Sequence, residues 1–188
     1  MRLILLRHEE RDQANPLFYS SLTPDGMANA ELLGYKLLKY DIDVIFSSPF
    51  LRTLQTIYPY CRNTNKKVNV EYGIYEYIHN LMFTKDNYYH DISEYKVEYP
   101  LLWSIINKSY KSVCDGGDIE FYENEMSLQR RIIKFFDELI PKYHDKTVLI
   151  VSHMGIINRI KDIYSLGGGE TRMNKYFPMG HYEVYDIN

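Results

Sequence analysis

The chain has 188 residues, of which 45% are hydrophobic and 25% are charged, and its formal net charge is -3. These values are ordinary for one soluble globular domain and exclude a disordered or membrane-embedded chain. A weakly acidic chain has no general basic field for nucleic acid or acidic lipid, so an anion site must depend on a local group of arginines. Cys61 and Cys114 have no CxxC spacing, which excludes a disulfide framework and favours a reducing, cytoplasmic location.

The first predicted element is a buried strand at the start of the sequence. Residues 3 to 6 are four apolar residues that run directly into Arg7 and His8. This run is too short for a signal peptide or a membrane span. An uninterrupted apolar run of this length is typical of a central parallel strand whose carboxyl end opens into a loop.

Strands and helices alternate along the rest of the chain. The predicted elements are a helix from Thr23-Pro24 to about Lys39, a strand over Asp43 to Ser47, a helix from Ser48-Pro49 to about Cys61, a short strand over Val68 to Val70, a helix over Asp118 to about Tyr143, a strand over Thr147 to Val151, a helix over Ile156 to Tyr164 and a strand over Tyr182 to Ile187. This order predicts an α/β fold of three layers, with helices on both faces of a mostly parallel sheet. We expect one domain over residues 1–188, with an inserted lobe over about residues 77–117.

Candidate functional residues follow three of the predicted strands. Arg7 and His8 follow the first, residues 47–52 with Arg52 follow the second, and His153 follows the strand that ends near Val151. Ligands of such sheets bind outside the carboxyl ends of the strands. Arginine offers a forked, permanently charged donor to a phosphoryl group, and neutral imidazole is a nucleophile that can also leave, so His8 or His153 could serve.

Four short strings of the sequence resemble the signature of one enzyme family. They are Leu6 to Arg11 (LRHEER), Leu22 to Gly26 (LTPDG), Ser47 to Thr56 (SSPFLRTLQT) and Val151 to Gly155 (VSHMG). They resemble, in order, the RHG, LTxxG, SSPxxRxxQT and second-histidine motifs of the histidine phosphatase superfamily, which includes the phosphoglycerate mutases. The resemblance implies the phosphoglycerate mutase-like fold and metal-independent hydrolysis of a phosphomonoester, with no cofactor.

The resemblance also implies a role for each matching residue. His8 would be the nucleophile, Arg7 and Arg52 would hold the nonbridging oxygens, and His153 would stabilise the charge that develops on them. Two further strings, HEERD from His8 and VEYGIYEY from Val70, look like those of the branch that contains the Sts-type phosphatases. This closer resemblance implies that Glu76 is the acid, although Glu71, Glu10 and other carboxylates stay open as alternatives. It also implies that Arg11 is a further phosphate or substrate contact.

One residue departs from the family pattern. Glu9 stands where the family usually has glycine, and a carboxylate that faced the pocket would repel phosphate by about 1 to 4 kcal/mol. The direction of this side chain is not predictable from strand alternation. Three functions therefore stay open, namely a phosphatase, a phosphoglycerate mutase, and an inactive phosphate-binding or interaction module. Mutases usually show RHGxSxxN, whereas Glu10 and Arg11 follow here, which favours the phosphatase.

Other histidines and arginines are interpreted as structural or solvated. This set comprises His79, His90, His144, His181, Arg62, Arg130 and Arg131. The sequence has no HExxH or comparable spacing, so we expect no metal site. The expected partner is a small-molecule or protein phosphomonoester, with no nucleic acid and no membrane, and the sequence does not indicate an oligomeric state.

Overall fold

The structure is a computed structural model, and it describes residues 1–12, 14, 17–79, 83–168 and 175–187. Its strands are β1 (Arg2–Arg7), β2 (Val44–Ser47), β3 (Val68–Val70), β4 (Thr147–Ser152) and β5 (Tyr182–Asp186). Its helices are α1 (Pro24–Leu37), α2 (Leu51–Thr64), α3 (Tyr95–Glu98), α4 (Pro100–Ile105), α5 (Glu125–Lys142) and α6 (Met154–Ile163), with short 3-10 turns at Tyr72–Ile74, Ile92–Glu94 and Gly116–Asp118.

The strands form one sheet in the order β3-β2-β4-β1-β5. The first four are parallel to their neighbours, and β5 runs antiparallel along β1. Arg7 pairs with Ser152 of β4, and Ser47 of β2 pairs with Val151. The carboxyl ends of three strands therefore meet at one edge of the sheet, where a ligand site is expected.

Alternation along the strands divides the core between the two faces of the sheet. Ile4 and Leu6 pack with α1 and α2 on one face, whereas Leu3 and Leu5 pack with α5 and α6 on the other. Successive side chains of a strand point to opposite faces, so a wholly apolar strand must be covered twice. This arrangement confirms the predicted three-layer α/β fold.

Two helix starts differ from the prediction because other contacts use the backbone there. The prediction that α2 starts at Ser48 is wrong, since the Ser48 N–H donates to the carbonyl of Val151 at 3.0 Å and so continues the sheet. The prediction that α5 starts at Asp118 is also wrong. Asn124 caps this helix, and its side chain accepts from the N–H groups of Met126 and Ser127 at 2.9 and 3.0 Å.

The remaining helix boundaries agree with the sequence to within two or three residues. Thr23 caps α1 as predicted, and its hydroxyl accepts from the Gly26 N–H at 3.0 Å. That helix ends at Leu37, whereas α6 begins directly after His153, two residues before the predicted start. Helix ends of this kind are set by capping groups more than by hydrophobic periodicity.

The region between β3 and α5 contains the short helices α3 and α4, and it packs back onto the sheet and α2. The hydroxyl of Tyr95 donates to the carbonyl of Pro49 at 2.8 Å, and the Asn107 N–H donates to Val68 at 2.8 Å. The predicted lobe over residues 77–117 stays a prediction, and its residues 80–82 lie outside the described part of the chain. None of the helices within the described ranges has the length and apolar character needed to cross a membrane.

Candidate active site

Five of the predicted side chains meet beyond the carboxyl ends of β1, β2 and β4. Arg7 ends β1 and His8 follows it, Arg52 lies in the first turn of α2, and His153 precedes α6. Glu76 joins them from the loop after β3 and lies 3.2 Å from Arg52. The rings of the two histidines are tilted by 59° to each other, with their centroids 5.4 Å apart.

His8 is held in one tautomer by its own backbone neighbourhood. Its ring is buried, and its Nδ1 lies 2.7 Å from the carbonyl oxygen of Glu9. An acceptor at that distance fixes the proton on Nδ1, which leaves the lone pair of Nε2 for chemistry. Burial, with the nearby charges of Arg52 and His153, holds the pKa of His8 well below its ordinary value. His8 is therefore neutral at pH 7, as a nucleophile requires.

Arg52 is a buried cation in the centre of the site. Its Nη1 donates to the carbonyl of Leu17 at 3.0 Å, and its Nη2 donates to Glu76 at 3.2 Å. Its guanidinium lies 4.3 Å from the centre of the Phe50 ring. Burial lowers the pKa of Arg52 to about 10, so the side chain stays charged at neutral pH. Its buried Nε has no partner among the residues that the structure describes, which leaves a donor for an anion.

Arg7 is positioned from the other side of the site by residues 177–182, which we call the C-terminal segment. Nη1 of Arg7 donates to the carbonyl of Phe177, and the Gly180 N–H donates to the carbonyl of His8 at 3.0 Å. The buried Nε of Arg7 also has no partner within the described ranges. The site thus holds two unpaired guanidinium donors, an arrangement that suits the oxygens of a phosphoryl group.

His153 and Glu76 form a coupled pair next to Arg52. Nε2 of His153 lies 2.9 Å from the hydroxyl of Ser48, and its Nδ1 lies 3.1 Å from Oε2 of Glu76, off the line of a good hydrogen bond. Burial lowers the pKa of His153 to about 4, against the opposing effect of Glu76. Burial also raises the pKa of Glu76, but His153 and Arg52 outweigh it and hold that pKa well below its ordinary value. Glu76 is therefore ionised in the free site.

Arg11 adds charge to the site from its rim. The side chain is partly buried, and its Nη1 donates to the carbonyl of Asp12 at 2.7 Å. Its charge lowers the pKa of both Arg7 and Arg52, after the larger effect of burial on each. A lowered pKa means that Arg11 lies near enough to strengthen the positive field felt by an anion.

The carboxylate of Glu9 points away from Arg7 and Arg52. The side chain is 7% exposed and lines a pocket of about 630 Å³ between α1 and the C-terminal segment, with Lys36 and His181. Burial raises the pKa of Glu9, and the charges that act on it come from Lys36 and Glu10. The backbone N–H of Glu9 donates to the hydroxyl of Thr56 at 2.9 Å. The residue therefore serves the site through its backbone.

Gly180 makes room for this carboxylate. It has a φ of 67°, and a Cβ added there would lie 2.0 Å from Oε1 of Glu9. A side chain at position 180 is thus excluded twice, by the left-handed backbone and by the glutamate. The absence of a side chain at position 180 therefore provides the space that the carboxylate of Glu9 occupies.

Ser48 and Thr56 were not predicted as functional residues, although both lie in a family motif. Ser48 contacts His153, and the Thr56 hydroxyl donates to the carbonyl of Arg52 at 2.7 Å. The interpretation of Arg131 as a solvated charge is wrong, because its side chain is 1% exposed and pairs with a carboxylate at 2.6 Å. Its place three residues after the buried Leu128 was the available signal.

The side chains of the remaining histidines are not part of this group of five. His144 is exposed, His90 packs against the ring of Phe18 at 5.0 Å, and His181 lies 3.7 Å from Glu183. Within the described part of the chain, no group of three or more His, Cys, Asp and Glu side chains is placed to hold a metal ion.

Comparisons with known proteins agree with this fold and identify the family of the chain. The family model of the histidine phosphatase superfamily (branch 1) matches residues 3–174. Phosphoserine phosphatase 1 of Hydrogenobacter thermophilus is 30% identical over 162 residues, which are 81% of this chain and 71% of that protein. A Schizosaccharomyces pombe protein named as a probable phosphatase is 26% identical over 169 residues, which are 86% of this chain and 72% of that protein. The chain therefore belongs to the histidine phosphatase superfamily.

A solved structure shares the whole fold. The alpha-ribazole phosphatase of Shigella flexneri superposes with a TM-score of 0.68 at 22% identity, covering 100% of this chain and 91% of that chain. The relatives named here are phosphatases, which supports a phosphatase hydrolase. Their names do not support the closer resemblance to the Sts-type branch.

Proposed function

We propose that the protein is a metal-independent phosphomonoester hydrolase that forms a phosphohistidine intermediate on His8. One observation carries this proposal, namely that neutral His8 lies among buried cationic donors with its Nδ1 fixed by a backbone carbonyl. Nε2 of His8 attacks phosphorus, the bond to the leaving oxygen breaks, and a phosphoramidate bond forms. Water then attacks the same phosphorus, and His8 leaves as neutral imidazole.

Arg7 and Arg52 bind the nonbridging oxygens in this proposal, with Arg11 as a further contact. Their fixed positive charge stabilises the charge that develops as phosphorus changes partners. His153 stabilises the charge that develops on the same oxygens. These side chains occupy the place that Mg²⁺ takes in many phosphoryl-transfer enzymes, so we expect full activity in EDTA.

Glu76 is the proposed acid and base. In the free site its pKa is low, because Arg52 and His153 stabilise the carboxylate. A bound phosphate dianion offsets the charge of Arg52 and places negative charge near the carboxylate, which raises the pKa of Glu76 and favours its protonated form. Glu76 then gives its proton to the leaving oxygen and later takes one from the attacking water.

The first experiment uses p-nitrophenyl phosphate in EDTA, with a quench in base that preserves the acid-labile phosphohistidine. We expect turnover and a trapped phosphoenzyme in the native protein, and neither in His8→Ala. His144→Ala is the matched control, because this histidine is exposed and lies away from the site. Phosphoenzyme in His8→Ala, or loss of activity on chelation, would contradict the proposal.

The two alternative functions are tested with the same preparation. Glu9→Gly distinguishes the inactive module, because a blocking glutamate predicts a large gain in activity on its removal. The orientation of Glu9 away from the arginines favours a change of about threefold or less. A mutase would transfer phosphoryl between substrates after a bisphosphorylated primer is added, faster than it hydrolyses them.

The substrate proposed here is a small phosphomonoester. Phosphoserine is the first compound to test, because the relative that is 30% identical is named for it. A sugar phosphate, a nucleotide and a phosphotyrosine peptide complete the panel and separate small-molecule from protein substrates. The cytoplasmic location and the absence of a nucleic-acid partner stay predictions from composition.

A further inference from the structure

The loop that carries Glu76 is anchored by buried charges that the reaction itself does not use. We call residues 71–78 the acid loop. Its regular structure is limited to the 3-10 turn Tyr72–Ile74. Most of its residues are buried, so its backbone groups need partners away from water.

Arg131 of α5 supplies most of these partners. Its Nη1 donates to the carbonyls of Gly73 and Tyr75 at 2.9 and 3.0 Å, and its Nη2 donates to the carbonyl of Glu76 at 3.1 Å. Nε and Nη2 also donate to Glu123 at 2.6 and 2.8 Å. All five N–H groups of this guanidinium are thus paired, which requires its rigid planar fork.

Glu123 completes the contact from the other side of the loop. Its Oε2 accepts from the Ile78 N–H at 3.2 Å, while its own N–H donates to the carbonyl of Ile78 at 2.8 Å. The side chains of Arg131 and Glu123 are 1% and 0% exposed. The pair therefore holds the backbone on both sides of Glu76.

The start of the acid loop has a separate anchor in Glu71. This fully buried carboxylate accepts from the N–H groups of Gly73, Val113 and Cys114 at 2.7, 2.9 and 3.2 Å, and from the hydroxyl of Tyr110 at 2.5 Å. Glu71 holds the backbone where the acid loop leaves β3, whereas Arg131 holds the backbone of Glu76 itself.

We propose that Arg131 and Glu123 are positioning residues for Glu76, which place its carboxyl group for proton transfer to the leaving oxygen. This inference rests on the proposed function. Arg131 binds the carbonyl of Glu76 itself, so the support reaches the residue whose side chain acts. Without it, the attraction of Glu76 to Arg52 and His153 would alone determine its position. A shift of about 1 Å in a reacting group can cost about a hundredfold in rate.

The experiment compares a substrate that needs the acid with one that does not. An alkyl phosphate such as phosphoserine has a poor leaving group, whereas p-nitrophenolate leaves without a proton. We measure kcat/KM for both, because it reports the steps up to the phosphoenzyme. Their ratio in one sample does not depend on how much protein is folded, so partial unfolding of a variant leaves the readout intact.

We expect Arg131→Lys and Glu123→Gln each to lower the alkyl rate about tenfold more than the aryl rate. Lysine keeps the charge, but its three N–H groups cannot pair with all five acceptor oxygens at once. Glu76→Gln is the reference, with an expected selective loss of about a hundredfold or more. Arg130→Lys is the matched control, since Arg130 is adjacent on α5 and its side chain is 72% exposed. Its ratio should equal that of the native protein.

The outcomes separate the inference from the proposal beneath it. If Glu76→Gln shows the selective loss and the variants at 131 and 123 do not, the positioning role is wrong and the phosphatase assignment stands. If Glu76→Gln lowers both rates equally, Glu76 is not the acid, and the inference fails with it.

Discussion

The acid loop and the C-terminal segment complete the site from opposite sides, and they are held in different ways. The acid loop is fixed by the buried charges of Arg131, Glu123 and Glu71, whose polar atoms are paired. The C-terminal segment contacts β1 through backbone groups, and an open pocket of about 630 Å³ separates part of it from α1.

This difference indicates which parts of the site tolerate change. Buried ionic groups are costly to leave unpaired, so one substitution beside the acid loop disturbs several partners at once. Where a segment is held by backbone hydrogen bonds next to solvent, a side-chain substitution removes fewer interactions and costs less unfolding free energy. We therefore expect the effects of substitution to fall from the acid loop to the C-terminal segment, and three measurements test that order.

The largest effect is expected for Arg131→Met, which removes the buried ion-pair partner of Glu123 and the guanidinium donor to three carbonyls of the acid loop. Breaking a buried pair from one side costs about 3–5 kcal/mol of unfolding free energy. Chemical denaturation measures this loss. Arg130→Met makes the same replacement at an exposed neighbour and should change stability by about 0.5 kcal/mol or less. Equal losses in the two variants would mean that burial of the pair is unimportant.

An intermediate effect is expected for Gly180→Ala in the C-terminal segment. The left-handed backbone and the close carboxylate of Glu9 together predict a loss of about 1–3 kcal/mol. Adding Glu9→Gly removes the clash but not the backbone strain, so part of the loss should be recovered. A double-mutant cycle of unfolding free energies measures this coupling. Strict additivity would show that the two positions do not meet.

The smallest effect is expected for Glu9→Gln and depends on pH. Burial raises the pKa of Glu9, so the folded state prefers the protonated carboxyl group. The resulting cost is fully present above the raised pKa, and it disappears below the ordinary value of about 4.5. Glu9→Gln should therefore melt at a higher temperature than the native protein at pH 7.5. The corresponding gain in unfolding free energy should be less than about 1 kcal/mol. The two proteins should melt together at pH 4, and a gain at both values would reject this cause.

Local signals in the sequence were sufficient to predict most elements of the fold. Apolar runs that end in charged residues predicted β1 and β4, and Thr23 with Pro24 predicted the start of α1. The start of α2 was not predictable, because the N–H of Ser48 bonds to β4, which lies about a hundred residues further along the chain. Local propensity cannot report a partner that only the folded sheet supplies.

The same limit applies to the candidate site. Motif resemblance indicated which side chains would meet, and the structure brings Arg7, His8, Arg52 and His153 together. Motif resemblance could not indicate where the carboxylate of Glu9 points, since the chain leaves strand geometry at that position. The burial of Arg131 depends on acceptors from a loop more than fifty residues earlier. The catalytic roles of Arg7, His8, Arg52 and His153 stay predictions until the variants are measured.

The contact between Glu9 and Gly180 also constrains how this chain can be recombined with its relatives. The two residues stand at opposite ends of the sequence, yet the space for one is created by the absence of a side chain at the other. A chimera with its crossover anywhere between them inherits the two positions from different parents. A hybrid that has Glu9 can hold its carboxylate in this position only if the other parent supplies glycine at position 180. Shuffled libraries of this family should therefore transfer positions 9 and 180 together.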